Sequence, residues 1–149
     1  MNNIYITKVD GAPSLSCIIF CDCEIEKIDW KNIAQNAYKK ICENKINLSK
    51  MAIVYKKDDF QYDFKFIQIK KNNSKIEFET NANCGNSMLA AAKVIFDIVK
   101  SKESIVIKNI DTNFEIQIKD MGDCFIFKVL SLENKNINSF KMSDKSSGE

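Results

Sequence analysis

The chain has 149 residues, with 22 basic against 20 acidic side chains, a net charge of +2, and 45% apolar and 28% charged residues. So even a balance gives no bulk attraction to nucleic acid or to an anionic membrane, and every basic residue is lysine, which removes the forked side chain that usually reads phosphates and base edges. Histidine is also absent, which removes Ser-His-Asp and Cys-His nucleophile pairs and most catalytic zinc sites; proton transfer must fall to Cys, Lys, Asp, Glu or Tyr.

The length suits one domain with a core of its own, expected over residues 1–132, followed by an Asn-, Lys- and Ser-rich polar tail or linker over 133–149. The first residues show no basic region leading into a long apolar run, so no signal peptide is expected, and no apolar run is long enough to span a bilayer. A cytoplasmic chain with reduced thiols follows from that reading. The six cysteines (Cys17, Cys21, Cys23, Cys42, Cys84 and Cys124) then read mostly as small core hydrophobes. Cys21 and Cys23 are separated by one residue, tighter than usual zinc spacing, and no metal site is expected there.

In chain order, residues 4–9 read as a strand, Asp10 to Ser14 as a Gly- and Pro-marked loop, and the apolar run 16–22 as a strand buried on both faces. Asp29 is placed to cap a helix from Trp30 to Glu43, whose apolar stripe (Trp30, Ile33, Ala34, Ala37, Tyr38, Ile41) packs on a sheet. Strands are expected at 51–55, 63–69 and 75–79. A second helix, Ser87 to Lys100, is apolar nearly all round and belongs inside the molecule. A meander of strands at 104–110, 113–118 and 124–130 completes the domain, with turns at 110–113 and 120–123. The sum is an α+β fold: a curved, mostly antiparallel sheet or barrel wrapped around a central buried helix, with the first helix outside.

The segment Asn83-Cys84-Gly85-Asn86-Ser87 stands between a strand and that buried helix. Gly85 permits a tight turn, and Asn83, Asn86 and Ser87 are residue types that cap helices. The free N–H groups and the positive end of the helix dipole favour an anion at this point, and a thiol there can have its pKa lowered. Cys84 is therefore a candidate proton carrier beside an anion pocket. The same pattern also fits a plain turn and cap around a passively packed thiol.

Four blocks resemble a known family. Ser49-Lys50-Met-Ala-Ile-Val54 resembles a Ser-Lys-Val-Ala-Ile-Val strand, and Asp63-Phe-Lys-Phe-Ile-Gln68-Ile69 an Asp-Tyr-Leu-Phe-Ala-Gln-Val strand. Asn83-Cys84-Gly85-Asn86 matches an Asn-Cys-Gly-Asn motif followed by a small-residue helix. Val106 to Thr112 is similar to a Val-Arg-Ile-Tyr-Asn-Thr-Asn-Thr turn region. In this order they resemble the first half of the diaminopimelate-epimerase-like superfamily, closest to its branch of 2-methylaconitate isomerase, 3-methylitaconate isomerase and 4-oxalomesaconate tautomerase.

The resemblance implies a cofactor-independent isomerase that moves a proton and double bond in a small unsaturated di- or tricarboxylate. Cys84 and Lys50 take the catalytic roles, with Ser49, Gln68, Asn83, Gly85, Asn86 and Ser87 around the substrate, and neither metal nor cofactor. By composition alone Lys50 is a solvated surface lysine, and Gln68 serves either a substrate oxygen or a neighbouring strand. The family's early Arg-Gly-Gly-Thr-Ser-Lys-Gly segment corresponds here to Asp10-Gly-Ala-Pro-Ser14-Leu-Ser16, without its arginine and lysine. Family members have two similar halves with the site in the cleft between them. This implies a homodimer or a separate second-half subunit, and no nucleic-acid or membrane partner. Two other readings stay open: a non-catalytic split or degraded half acting as a binding or assembly module, and an amino-acid epimerase or racemase.

Overall fold

A computed structural model describes residues 3–100, 102–130 and 138–144. The elements run β1 (Asn3–Thr7), β2 (Ser16–Phe20), a short 3-10 turn (Ile25–Lys27), α1 (Trp30–Glu43), β3 (Lys50–Lys56), β4 (Gln61–Asn72), β5 (Lys75–Glu79), α2 (Gly85–Val99), β6 (Ile105–Asn109), β7 (Glu115–Asp120), β8 (Cys124–Leu130) and β9 (Asn138–Asp144). All the strands join one sheet in the order β1-β2-β3-β4-β6-β7-β8-β9, with β5 also on β4. The pairings β2–β3 and β4–β6 are parallel and the others antiparallel. The expected α+β architecture is present, as a sheet that stays open rather than closing into a barrel.

Each parallel pair is bridged by a helix, as parallel strands require. The steps β2 to β3 and β4 to β6 move the same way across the sheet, but the strands of the two pairs point in opposite directions. Two right-handed crossovers must then lie on opposite faces, and the helices do. Ala34, Ala37 and Ile41 of α1 share a core with Cys17, Ile19, Met51, Ile53, Ile67 and Ile69. The residues between these, Ile18, Ala52, Val54, Phe64 and Phe66, turn to the other face and pack on α2 together with Ile105, Ile107, Ile116, Ile118 and Phe125 of β6 to β8. Strands β2, β3 and β4 are thus covered on both sides, which is why β2 and the middle of β3 are apolar runs, while β4 places Asp63 and Lys65 on its α1 face.

Helix α1 has the bounds expected, with the Asp29 carboxylate accepting from the Asn32 N–H at 3.2 Å. Helix α2 begins two residues earlier than expected, and Met88 to Ala92 are sealed inside. Strand β4 is longer than expected because it carries β6 along one end and β5 along the other. The stretch expected as a polar tail differs in part: residues 138–144 form β9, antiparallel to β8, where Ser139, Phe140 and Lys141 pair with Lys128, Phe127 and Ile126. A free strand edge on β8 recruits them in spite of their polar composition. The rest of 133–149 lies outside the described residues.

Candidate functional site

Cys84 is the N-cap of α2, with extended backbone (φ −142°, ψ 106°), and its thiol caps nothing. Its carbonyl accepts the Met88 N–H at 3.0 Å, which closes the first turn. Among the described residues the N–H groups of Gly85 and Asn86 meet no protein acceptor. They are left at the positive end of a 15-residue helix. The thiol is half-buried, packed against the α2 core on one side and open on the other. Burial pushes the Cys17 thiol up to about 12, and burial with the nearby Cys23 pushes Cys21 up to about 11.

Two of the three expected capping residues, Asn83 and Ser87, have other partners. The Asn83 side-chain carbonyl accepts from Asn109 Nδ2 at 2.9 Å and from Thr112 Oγ1 at 2.6 Å. Asn109 is fully buried; its amide also donates to the Ala82 carbonyl at 2.9 Å and accepts the Asp111 N–H at 2.9 Å. The β6–β7 turn therefore pins the backbone just before Cys84. Ser87 is fully buried and its Oγ lies 2.9 Å from Ser16 Oγ on β2, so it fastens the helix start to the sheet. Gly85 is the first helical residue, its φ is not positive, and a Cβ there would meet nothing within 4 Å. The expected tight turn is not what Gly85 provides; it leaves open space beside the thiol and bares a backbone N–H.

Lys50 opens β3, in register with Ser16 of β2 and Gln68 of β4. It shares its face with Ala52 and Val54, which pack on α2, so it stands on the α2 side of the sheet at the helix's N-terminal end. It is half-buried and has no hydrogen bond or ion pair among the described residues. Gln68 donates from Nε2 to the Ser49 carbonyl at 3.0 Å, a carbonyl that also takes the Ile69 N–H at 2.8 Å. Of its two possible roles, service to a neighbouring strand is the one seen, and Ser49 enters through its backbone.

A cavity of about 390 Å³ opens beside the thiol. Cys84, Gly85 and Asn86 form its polar rim, and Leu89, Phe114, Ile116, Phe127 and Val129 its apolar wall. Lys50 is not among its lining residues. Ser87, which turns toward β2 and Lys50, and Leu89, which turns toward the cavity, are two positions apart and so point from opposite flanks of the helix. The lysine and the cavity thus flank the helix start from two sides, with Cys84 at its tip. Sequence reasoning missed Asn109 as an organiser, although it falls within the matched 106–112 turn. It also missed the apolar wall, whose half-exposed positions look like ordinary strand residues.

No protein-family model matches the sequence, and no curated protein does. Among solved structures, the chain is similar to a phenazine biosynthesis protein PhzF family member from Enterococcus faecalis, with a TM-score of 0.54 and 15% identity over 85% of this chain and 42% of that one. It is also similar to a predicted epimerase from Pseudomonas aeruginosa, with a TM-score of 0.50 and 9% identity over 87% of this chain and 42% of that one. At such identities the likeness is one of fold, and the fold is epimerase-like. The chain spans less than half the length of either neighbour.

Proposed function

We propose that this chain is one half of a cofactor-independent isomerase that relocates a proton, and with it a double bond, in a small unsaturated di- or tricarboxylate. The observation that carries the reading is Cys84 at the tip of a buried helix, half-open, beside two N–H groups that meet no acceptor among the described residues and a cavity with an apolar wall. The epimerase-like fold of the structural neighbours supports it.

In the proposed reaction one of the pair Cys84 and Lys50 takes a proton from an allylic carbon, and the C–H electrons spread into the conjugated carboxylate. The Gly85 and Asn86 N–H groups lower the energy of that anion. The other member returns a proton at a different carbon, and the double bond shifts between them. The apolar wall takes the hydrocarbon side of the substrate, and the helix tip its carboxylate. Lys50 must reach over the helix start to share the substrate, so the space above that start has to be enclosed. Water left there weakens the stabilisation of the anion. We assign the enclosure to a second copy of this chain or to a separate subunit equivalent to the remainder of the longer neighbours.

The test is deuterium exchange from heavy water into 2-methylaconitate and related acids, with wild type, Cys84→Ser and Lys50→Met compared, each alone and with any co-purifying partner. The expected result is exchange by wild type and its loss, by about two orders of magnitude, in either variant. Equal rates in all three would falsify the assignment. A second reading, a non-catalytic assembly module, is favoured by the separation of Lys50 from the cavity, and it predicts no exchange under any of these conditions. An amino-acid epimerase is the third reading; exchange at the α-carbon of an amino acid, with none into the unsaturated acids, would select it.

A further inference from the structure

The α1 face of the sheet carries a second polar site, unconnected to the proposed reaction. Asp63 on β4 is 8% exposed, yet it has no hydrogen bond or ion pair among the described residues. Its oxygens are not sealed in packed protein, since Tyr62 Oη is the one fully enclosed side-chain polar atom without a partner among the described residues; the Asp63 carboxylate opens onto the space beside it. Its neighbour two positions along the same face shows the ordinary case: Lys65 Nζ lies 2.9 and 3.0 Å from the two oxygens of Asp111, over the Trp30 ring. Asp63 instead borders a cavity of about 210 Å³, lined also by Glu26, Lys57, Lys108, Ile110 and Asn113. Lys108 is its register partner on β6, so the two side chains rise side by side from one face. The cavity thus holds two carboxylates and two ammonium groups.

The charge pattern restricts the ligand. A bare cation suits Asp63 and Glu26 but is opposed by both lysines; a bare anion suits the lysines but leaves the buried carboxylate facing like charge. A molecule carrying an ammonium and a carboxylate a few bonds apart satisfies both halves. The volume is below that of drug-sized sites, which suits a ligand of amino-acid dimensions. We propose that this cavity binds a small zwitterion of the α-amino-acid class, its ammonium on Asp63 and Glu26 and its carboxylate on Lys57 and Lys108. Burial is the main influence raising the Asp63 pKa, and it favours a ligand that brings a donor.

The test is an amide NMR titration of the full chain with each standard L-α-amino acid, following Asp63, Lys108, Ile110 and Asn113. Acetate and methylammonium, each carrying half of the ligand, serve as controls. The expected result is saturable shifts at those amides with at least one amino acid, and binding about ten-fold weaker or worse for either control. Asp63→Asn and Lys108→Gln should each weaken binding by about ten-fold. Both replace a charge by a neutral amide, isosteric in the case of Asp63→Asn, and a one-dimensional spectrum shows whether each is folded. No saturable shift with any amino acid overturns the proposal. So does a control that binds as well as the amino acids, or binding that survives in both folded variants. None of these outcomes bears on exchange at Cys84.

Discussion

The amide of Asn109, buried at the end of β6, holds the side chain of Asn83 at 2.9 Å, one residue before the N-cap thiol. With Ala82 O and Asp111 N also served, this one side chain ties the loop before α2 to the β6–β7 turn. Replacing Asn109 by Ala leaves these groups without their partner in a dry setting. The expected cost is about 2 kcal/mol of stability, read from urea unfolding at unchanged m-value. Hydrogen exchange at residues 80–86 should rise with it.

Gly85→Ala should be tolerated by the fold. The added methyl meets nothing, and alanine is the better helix former, so stability should hold or rise by up to about 1 kcal/mol. Because the methyl enters the space beside the thiol, deuterium exchange into the unsaturated acids should fall. Stable protein with undiminished exchange would show that Gly85 does not face the substrate.

Ser16 and Ser87 share a buried hydrogen bond, and each hydroxyl is the other's only side-chain partner among the described residues. Either single change to Ala should cost on the order of 1–2 kcal/mol, and the double change less than the two added together. A double-mutant cycle by thermal unfolding reads the coupling, expected at about 1 kcal/mol.

Thiol reactivity separates the cysteines. With iodoacetamide at pH 8, Cys17 and Cys21, held up to about 12 and about 11 by burial, should stay unmodified while Cys84 reacts. Peptide mapping by mass spectrometry gives the order. If Cys84 carries the proposed chemistry, it should also react faster than Cys23 and Cys42, which are exposed and have no such setting. Labelling of Cys84 no faster than Cys17 would argue for a passively packed thiol.

Asp63 gives a pH dependence with a definite sign. Burial, chiefly, raises its pKa; Lys57 and Lys108 act to lower it, while Glu26 and Glu24 raise it further. A carboxyl whose folded-state pKa lies above its unfolded value binds its proton more tightly when folded. Its stabilising contribution is full below the unfolded pKa and is lost as pH rises through the folded one. Asp63→Asn should therefore raise the thermal midpoint at pH 7 and flatten the fall in midpoint as pH climbs above the ordinary carboxyl range. A midpoint that falls at pH 7 would show that the ionised carboxylate has a stabilising partner.

Much of the architecture was legible from periodicity. The α1 stripe and its Asp29 cap are local signals, and α2 announces itself by being apolar all round. Strand β4 was read short because its last residues are polar; they pair with β5 in a hairpin that composition does not announce. Strand β9 was missed for a similar reason, since what orders it is the open edge of β8 and not its own sequence. At the candidate site, Cys84 stood out through its motif, but the partners of Asn83 and Ser87 lie 26 and 71 residues away in sequence. Local reading made both of them caps, because a cap is the nearest use for such side chains. Only the register that brings β2 and β6 beside the start of α2 reassigns them.

The Asn109 anchor also bears on the order of assembly. The segment before α2 acquires its shape from a residue that emerges from synthesis only after the whole helix has been made. Helix α2 can collapse onto β2 to β4 early, but residues 80–84 must wait for a long-range closure before they settle. A nascent or truncated chain ending before position 109 should hold the helix yet leave the Cys84 thiol on a loose tether until the β6–β7 turn closes onto it.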